Sequence, residues 1–328
     1  MTVEAKVERC AELAEALRQR IGERIVGARE TIDTVLTGLF AGGHGLLEGV
    51  PGIGKTLLVR TLAEAIQASF SRIQFTPDLM PADVTGTMVL HDEGGGGGRE
   101  FRFRQGPIFA HVLLADEINR ATPKTQAAML EAMEERQVTS DGVSRPLPTP
   151  FFVLATQNPL EMEGTYPLPE AQLDRFLFKI VVPTPSQEEL VEIVDLASRA
   201  TPAKGAPVTT AAEIASMIAL SRDVVLATDV RELVARLVLA THPDGKGAPD
   251  SVRRYVRHGA SPRGALAIAL GLKARALMGG RPHVERKEIP GLFKPALRHR
   301  LGLNFEAEAE GVTGDQILDD VLAAIPLR

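Results

Sequence analysis

The chain has 328 residues, of which 44% are hydrophobic and 24% are charged, and its formal net charge is −5. This length allows about two domains of an ordinary globular protein. The acidic balance argues against bulk, sequence-independent binding of nucleic acid, and the lack of Trp argues against aromatic platforms for bases.

The N-terminal segment predicts two helices and a strand. Apolar residues at helical spacing indicate a helix over residues 3–21, and a second runs from about Ala28 to Ala41. A strand is expected at Gly45–Glu48. The first 20 residues lack the apolar stretch of a signal peptide, no run of about 18 apolar residues is present, and Cys10 is the single cysteine. We therefore expect no membrane span and a reducing, cytoplasmic location.

A glycine-rich loop follows the first predicted strand. Residues 49–56 read Gly-Val-Pro-Gly-Ile-Gly-Lys-Thr, the spacing of loops that hold a nucleoside triphosphate. Glycines let backbone N–H groups face phosphate oxygens. Lys55 is expected to reach the β- and γ-phosphates and Thr56 to bind Mg²⁺, with the next helix directing its N-terminus at the phosphates. The predicted nucleotide contacts are Gly49, Pro51, Gly52, Ile53, Gly54, Lys55, Thr56 and Leu57.

Four further apolar runs, at residues 71–75, 111–115, 151–155 and 178–182, alternate with helical patterns. Short, nearly all-apolar strands between helices predict an α/β core with a parallel sheet covered on both faces. A proline-rich break at Pro183–Ser186 precedes a mostly helical remainder, with Ser186 as a helix N-cap. We predict a core domain over residues 1–184 and a smaller all-helical domain over residues 185–328.

Two segments interrupt the predicted core as hairpins. The first spans about residues 84–104, and its tip contains the five glycines Gly94–Gly98. The second spans about residues 136–147, with Asp141-Gly142 as its turn. Glycine-rich turns between β-prone segments are typical of hairpins.

Polar residues end two of the predicted strands. Asp116 and Glu117 follow an apolar strand, and Asn158 follows the next one. We expect Asp116 to bind Mg²⁺, Glu117 to orient and deprotonate the attacking water, and Asn158 to hold that water and the γ-phosphate. The alternatives are a helix N-cap pair for the two acids and a plain turn for Asn158.

The other charged residues carry weaker signals. The seven histidines show no metal-ligand spacing, so no zinc site is predicted. The basic cluster Arg253–His258 is interpreted as a solvated face or a subunit contact rather than a nucleic-acid site, given the acidic total.

The order of these motifs resembles that of AAA+ ATPases, and the MoxR family matches best, over about residues 20–185. The phrases that carry the resemblance are residues 47–52 (LEGVPG), 116–121 (DEINRA), 126–135 (QAAMLEAMEE), 155–159 (ATQNP) and 168–176 (LPEAQLDRF), with Ser261-Pro262-Arg263 as the main marker later in the chain.

This resemblance implies a role for Asn158 and for four further positions. Asn158 matches sensor 1, and Arg175 matches the arginine finger that acts in trans on a neighbouring subunit. Arg263 matches sensor 2, which reaches from the lid domain to nucleotide in its own subunit. Val26 and Gly27 match the segment that lines the adenine pocket. From the residues alone, an ion pair remains open for Arg175, and Arg120 competes with it as the trans arginine.

The resemblance also implies an activity. We expect ATP hydrolysis with Mg²⁺ in a ring of identical subunits, a hexamer, whose hairpins face a central pore or a client. The client would be a protein remodelled or matured, often with a von Willebrand A domain, sometimes for insertion of metal or cofactor. The alternatives are a motor stimulated by nucleic acid and a nucleotide-dependent binding switch with little turnover.

Overall fold

The structure is a computed structural model that describes residues 2–92, 99–158, 164–198 and 205–327. The first half contains, in chain order, α1 (Val3–Gly22), α2 (Arg29–Phe40), β1 (Gly45–Glu48), α3 (Lys55–Ala65), β2 (Phe70–Gln74), α4 (Pro81–Thr85), β3 (Gly86–Asp92), β4 (Arg99–Gln105), β5 (Val112–Asp116), α5 (Pro123–Glu135), β6 (Gln137–Ser140), β7 (Val143–Pro146), β8 (Phe152–Gln157), α6 (Glu170–Leu173) and β9 (Phe178–Val181). No helix in these ranges or in the second half is both long and apolar enough to cross a membrane.

A five-stranded parallel sheet forms the centre of this half, in the order β2-β5-β8-β1-β9. Successive residues of β1 and of β5 are buried in two different hydrophobic clusters. Leu47 and Leu114 pack with α1–α3, whereas Leu46 and Leu113 pack with α5. Burial on both faces explains why these strands are apolar without alternation. The predicted parallel sheet between helices is confirmed.

Two hairpins project from this core, and both were predicted. In the first, β3 pairs with β4 from Gly86 opposite Gln105 to Asp92 opposite Arg99. In the second, β6 pairs with β7 around Asp141, which has a φ of 53°, and Gly142, which has a φ of 74°. The predicted glycine tip at residues 94–98 lies outside the described residues.

The second half is almost entirely helical. It contains α7 (Gln187–Ser198), α8 (Ala211–Asp223), α9 (Thr228–Leu239), α10 (Asp250–Tyr255), β10 (Val256–His258), α11 (Pro262–Met278), α12 (Ile289–Leu297), β11 (Gly302–Leu303), α13 (Phe305–Glu310) and α14 (Gly314–Ala324). The predicted N-cap at Ser186 is part of a capping box, since the Glu189 N–H donates to Ser186 Oγ and the Ser186 N–H donates to Glu189 Oε2. We call residues 185–327 the lid.

The lid packs on the core through its long helix. Helix α11 contacts α1 and α2, and α12 contacts β9, so one hydrophobic cluster joins the N-terminal helices, one sheet face and the lid. The division near Pro183–Ser186 therefore stays a prediction about domains, although the change from sheet to helices occurs there.

Candidate nucleotide site

The predicted phosphate loop lies between the end of β1 and the start of α3. Gly52 has a φ of 81° and Gly54 a φ of 89°, a conformation that residues with a side chain rarely adopt. A Cβ on Gly49 would lie 3.2 Å from Val182 Cβ and from the Val182 carbonyl oxygen. The sequence needs glycine here for conformation and for close approach, and α3 begins directly at Lys55.

The two predicted acids lie at the end of β5, beside this loop. The Thr156 hydroxyl of β8 joins them: it donates to Asp116 Oδ1 at 2.6 Å and accepts the Glu117 N–H at 2.8 Å. Glu117 has a φ of 57°, which turns the chain sharply after the strand. Thr156, which the sequence analysis did not single out, therefore holds both acids in place.

Two residues of the neighbouring strand β2 also hold these acids and were missed. Arg72 donates to Asp116 Oδ2 through Nη2 at 2.6 Å and through Nε at 3.1 Å. Gln74 donates to Glu117 Oε2 at 2.9 Å. Both are polar positions two residues apart on a strand, which is the spacing that places side chains on one face. That pattern was the available signal.

Lys55 lies in the field of the acids. Its Nζ donates to the Gly49 carbonyl at 2.6 Å. Burial lowers the pKa of Lys55, and the negative charges of Asp116, Glu117 and Glu48 act in the opposite direction. A half-buried ammonium facing carboxylates across a glycine loop is suited to a polyphosphate with its cation.

The donor set fits Mg²⁺ held together with a nucleotide better than a metal held by protein alone. In the described ranges, no three His, Cys, Asp or Glu side chains are grouped so that they could hold a metal. Asp116, with its side chain 14% exposed, offers one carboxylate at the loop. Mg²⁺ is commonly bound by one or two protein oxygens plus phosphates and water.

Two other predicted contacts lie close to the loop. Asn158 is buried directly after β8, the strand between β5 and β1. Val26 and Gly27 line a cavity of about 340 Å³. A Cβ on Gly54 would be 3.9 Å from Ile25 Cδ1, so this segment adjoins the phosphate loop, and the side chain of Glu189 lies over Gly27.

The predicted arginines lie elsewhere. Arg175 Nη2 is 3.2 Å from Glu134 Oε2, and Arg263 Nη2 is 2.7 Å from Glu134 Oε1. These three side chains line a cavity of about 230 Å³ together with Gly43 and Leu177, which precede β1 and β9. The arginines are thus at the amino edge of the sheet, and the phosphate loop is at its carboxyl edge.

This placement does not fit a sensor 2 arginine that reaches the nucleotide of its own subunit, as expected for Arg263. Helix α11 packs across α1 and α2, which brings its first turn to the amino edge of the sheet. Arg120, the competing arginine, behaves differently: its Nη1 is 3.1 Å from Oε2 of Glu117, in its own nucleotide site.

Two of the three arginines in the basic cluster near residue 255 are paired with acids of the same chain. Arg254 pairs with Glu306 and Glu310, each at 2.6 Å, and Arg257 pairs with Glu170 at 2.9 Å. Charges that are already paired supply little of the attraction to phosphates on which nucleic-acid binding depends.

Comparison with known proteins agrees with this geometry. Residues 44–178 match the model of the ATPase family associated with various cellular activities, and residues 250–321 match that of the AAA lid domain. The chain is 44% identical to the uncharacterised protein YeaC of Bacillus subtilis, over 94% of this chain and 92% of that protein. It is 42% identical to Chaperone MoxR1 of Mycobacterium tuberculosis, over 92% of this chain and 79% of that protein.

Two solved structures are similar. One is a candidate ATPase from Cytophaga hutchinsonii, with a TM-score of 0.91 and 37% identity, over 98% of this chain and 97% of that one. The other is an MCM homologue from Methanopyrus kandleri, with a TM-score of 0.58 and 18% identity, over 90% of this chain and 62% of that one, which shows a shared fold alone.

Proposed function

The chain belongs to the MoxR family of AAA+ ATPases, and we propose that it uses ATP hydrolysis in a ring of identical subunits to remodel a partner protein. The observation that carries this proposal is a row of exposed apolar side chains on the hairpin of β3 and β4, which is attached to the nucleotide-binding core. Leu90 and Phe101 are direct partners across β3 and β4, and they are 51% and 66% exposed. Exposed apolar pairs of this kind suit contact with polypeptide.

The two hairpins are joined at the base of this row. Phe103 lies two residues from Phe101 on the same face of β4, and the guanidinium of Arg145, from β7, stacks 3.9 Å from its ring centroid. A cation over an aromatic ring contributes about 0.5–2 kcal/mol. We propose that the hairpins move together when the core changes shape.

The residues at the carboxyl edge divide the work of hydrolysis. Backbone N–H groups of residues 49–56 and Lys55 would hold the phosphates, while Thr56 and Asp116 would hold Mg²⁺, which neutralises the charge that develops on them. Glu117 takes the proton of the attacking water, and Asn158 orients that water. Thr156 and Gln74 fix the two acids during this step.

The position of Arg175 supports the proposed ring. An arginine finger must reach a γ-phosphate, and Arg175 lies at the edge of the sheet away from its own phosphate loop. A head-to-tail contact places the amino edge of one subunit against the carboxyl edge of the next, and repetition of such a contact gives a ring when the rotation between neighbours closes. We propose a hexamer in which Arg175 acts in trans, with Arg263 beside it.

The lid provides the link from nucleotide to movement. Glu189, in the first turn of α7, lies over Gly27 of the proposed adenine pocket. Binding of adenine against Val26 and Gly27 would displace this side chain and shift α7. Hydrolysis then alters the angle between core and lid, and the hairpins act on the client.

For the client, we propose a protein with a von Willebrand A domain, in line with the family resemblance and with the chaperone named among the relatives, and we place this action in the cytoplasm. The second hairpin does not favour the nucleic-acid motor, because both of its arginines have partners within the chain. Arg136 of the second hairpin donates to the Gly42 carbonyl at 2.7 Å, and Arg145 covers Phe103.

The test is capture of the client by a subunit that binds ATP and stalls. Glu117→Gln protein with ATP should retain a protein partner that ADP releases. Adding Phe101→Ser should abolish retention, because it removes the exposed apolar row. The matched control is Phe305→Ser, which changes an 83% exposed phenylalanine on the lid and should retain the partner. Retention of nucleic acid, or retention indifferent to Phe101, would contradict the proposal.

A further inference from the structure

The residues flanking Arg175 are bound by a buried arginine of the lid. The side chain of Arg300 is 2% exposed, and 126 positions separate it from Asp174. Its Nε donates to Asp174 Oδ1 at 2.7 Å, and its Nη2 donates to the carbonyls of Asp174 at 3.0 Å and Phe176 at 2.8 Å. Nη1 donates to the Leu177 carbonyl at 3.3 Å. Arg300 therefore grips the chain on both sides of Arg175.

Two more lid residues contact the same segment. The Ser261 hydroxyl lies 3.0 and 2.9 Å from the two carboxylate oxygens of Asp174, and the buried His299 ring contacts the Phe176 carbonyl at 3.0 Å. We call Ser261, His299 and Arg300 the lid clamp. Among the described residues, the Arg175 side chain pairs with Glu134, and it is 31% exposed. Its position is thus set by the clamped backbone.

Burying an arginine between two surfaces costs free energy, because its charge loses its contact with water. Burial lowers the pKa of Arg300, because desolvation disfavours the charged form, and the ion pair with Asp174 opposes that effect. Apolar residues of similar volume usually stabilise such a contact as well or better. What the guanidinium adds is geometry, since its planar fork holds several acceptors at fixed angles.

We propose that Arg300 is a positioning residue for hydrolysis in the neighbouring subunit, because it holds Arg175 where that subunit's γ-phosphate will lie. This inference rests on the proposed trans role of Arg175. It also makes the finger dependent on the lid, since the clamp holds the Asp174–Leu177 segment only while the lid is seated on the core.

The first measurement is steady-state ATP hydrolysis by Arg300→Met. We expect kcat to fall by about 10- to 100-fold, since small misplacement of a catalytic group costs up to about 10²-fold, with KM for ATP changed by less than about 2-fold. Arg300→Lys keeps the charge without the fork and should fall between wild type and Arg300→Met. It also provides a folded variant if the methionine variant does not assemble.

Arg298→Met is the matched control. Arg298 is also a poorly exposed lid arginine, 14% exposed, and it pairs with Asp315 at 2.9 Å and reaches the Lys179 carbonyl. It does not contact the Asp174–Leu177 segment in the described contacts. Its loss should lower the melting temperature and leave kcat near wild type. An equal fall in kcat for both variants would reduce Arg300 to a structural residue and overturn the proposal.

Mixed rings supply the second measurement. Lys55→Ala subunits lack a working loop and keep the clamp, whereas Arg300→Met subunits keep the loop. In a random 1:1 mixture, about one interface in four joins an intact loop to an intact finger. We therefore expect the mixture to recover up to about a quarter of wild-type activity. Arg175→Ala subunits should be rescued equally. If Lys55→Ala subunits rescued Arg175→Ala and failed to rescue Arg300→Met, the role of Arg300 would be overturned. If they rescued neither variant, the trans role of Arg175 would be overturned as well.

Discussion

The two edges of the central sheet carry charge in different ways. At the carboxyl edge, Asp116 and Glu117 face Lys55 across a glycine loop. At the amino edge, Arg175 and Arg263 share the carboxylate of Glu134. The first edge suits an anion bound with its cation, whereas the second presents two arginines that pair with a protein carboxylate. In the proposed ring, each subunit would contribute one half of a site at each edge of its sheet.

Among the changes that test this comparison, Arg175→Ala should have the largest effect on kcat. Removing a finger arginine costs about 10³–10⁵ in kcat, because the developing negative charge loses its partner. Nucleotide binding should change little, since the loop is on the other edge. Phosphate release and binding of a fluorescent ATP analogue measure the two quantities. A fall in affinity equal to the fall in kcat would place Arg175 in its own nucleotide site and end the distinction between the edges.

Glu117→Gln should lower kcat by about 10²–10⁴ while ATP still binds, because the amide cannot accept the proton of the attacking water. Its behaviour in mixed rings is the sharper test. Glu117 and Lys55 belong to the same edge, so Glu117→Gln and Lys55→Ala subunits should not rescue each other. Recovery of activity in that mixture would mean that the acid and the loop of one subunit serve different sites.

The sequence predicted the carboxyl edge more completely than the amino edge, for a physical reason. The carboxyl ends of parallel strands lie at one edge of the sheet, so Asp116 and Asn158, which follow strands, could be placed at the edge of the phosphate loop. The supporting contacts of Arg72 and Gln74 needed the pairing of β2 with β5, which is a matter of register.

The amino edge depends on how the lid is seated. The pairing of Arg300 with Asp174 joins residues 126 positions apart, and no local pattern encodes it. For the same reason, the motif around Arg263 indicated a lid arginine but not the edge of the sheet to which α11 brings it. Helices α10, α12, α13 and α14 lie in the stretch that the sequence predicted only as mostly helical, so their bounds come from the structure.

The amino edge should also be the more sensitive to acid. Burial lowers the pKa of His44 from 6.5 to about 4, and its ring accepts the Val153 N–H at Nδ1 and contacts the Met133 carbonyl through Nε2, each at 3.1 Å. Above pH 6.5 the ring is neutral in both folded and unfolded chains. As the pH falls toward 4, only the unfolded chain takes up the proton, so the free energy of unfolding decreases.

His44→Gln isolates this contribution, because an amide offers a similar donor and acceptor and does not titrate. Between pH 7 and pH 5, wild type should lose about 2 kcal/mol more unfolding free energy than His44→Gln. Urea unfolding at the two pH values measures the difference. Equal losses in both proteins would show that His44 does not contribute to the acid sensitivity of the amino edge.

The smallest effect concerns the cation at the carboxyl edge. Arg72 occupies Oδ2 of Asp116, with its own side chain 46% exposed, and so competes there with Mg²⁺. An exposed ion pair of this kind contributes up to about 1 kcal/mol, so Arg72→Ala should lower the Mg²⁺ concentration for half-maximal hydrolysis by about 5-fold at most. Arg102→Ala, which removes a strand arginine paired with Glu100 at 3.0 Å, is the matched control and should leave it unchanged. If Arg72→Ala instead raised the Mg²⁺ requirement, Arg72 would be orienting Asp116 for the metal, and the carboxyl edge would resemble the amino edge in using arginine to build its site.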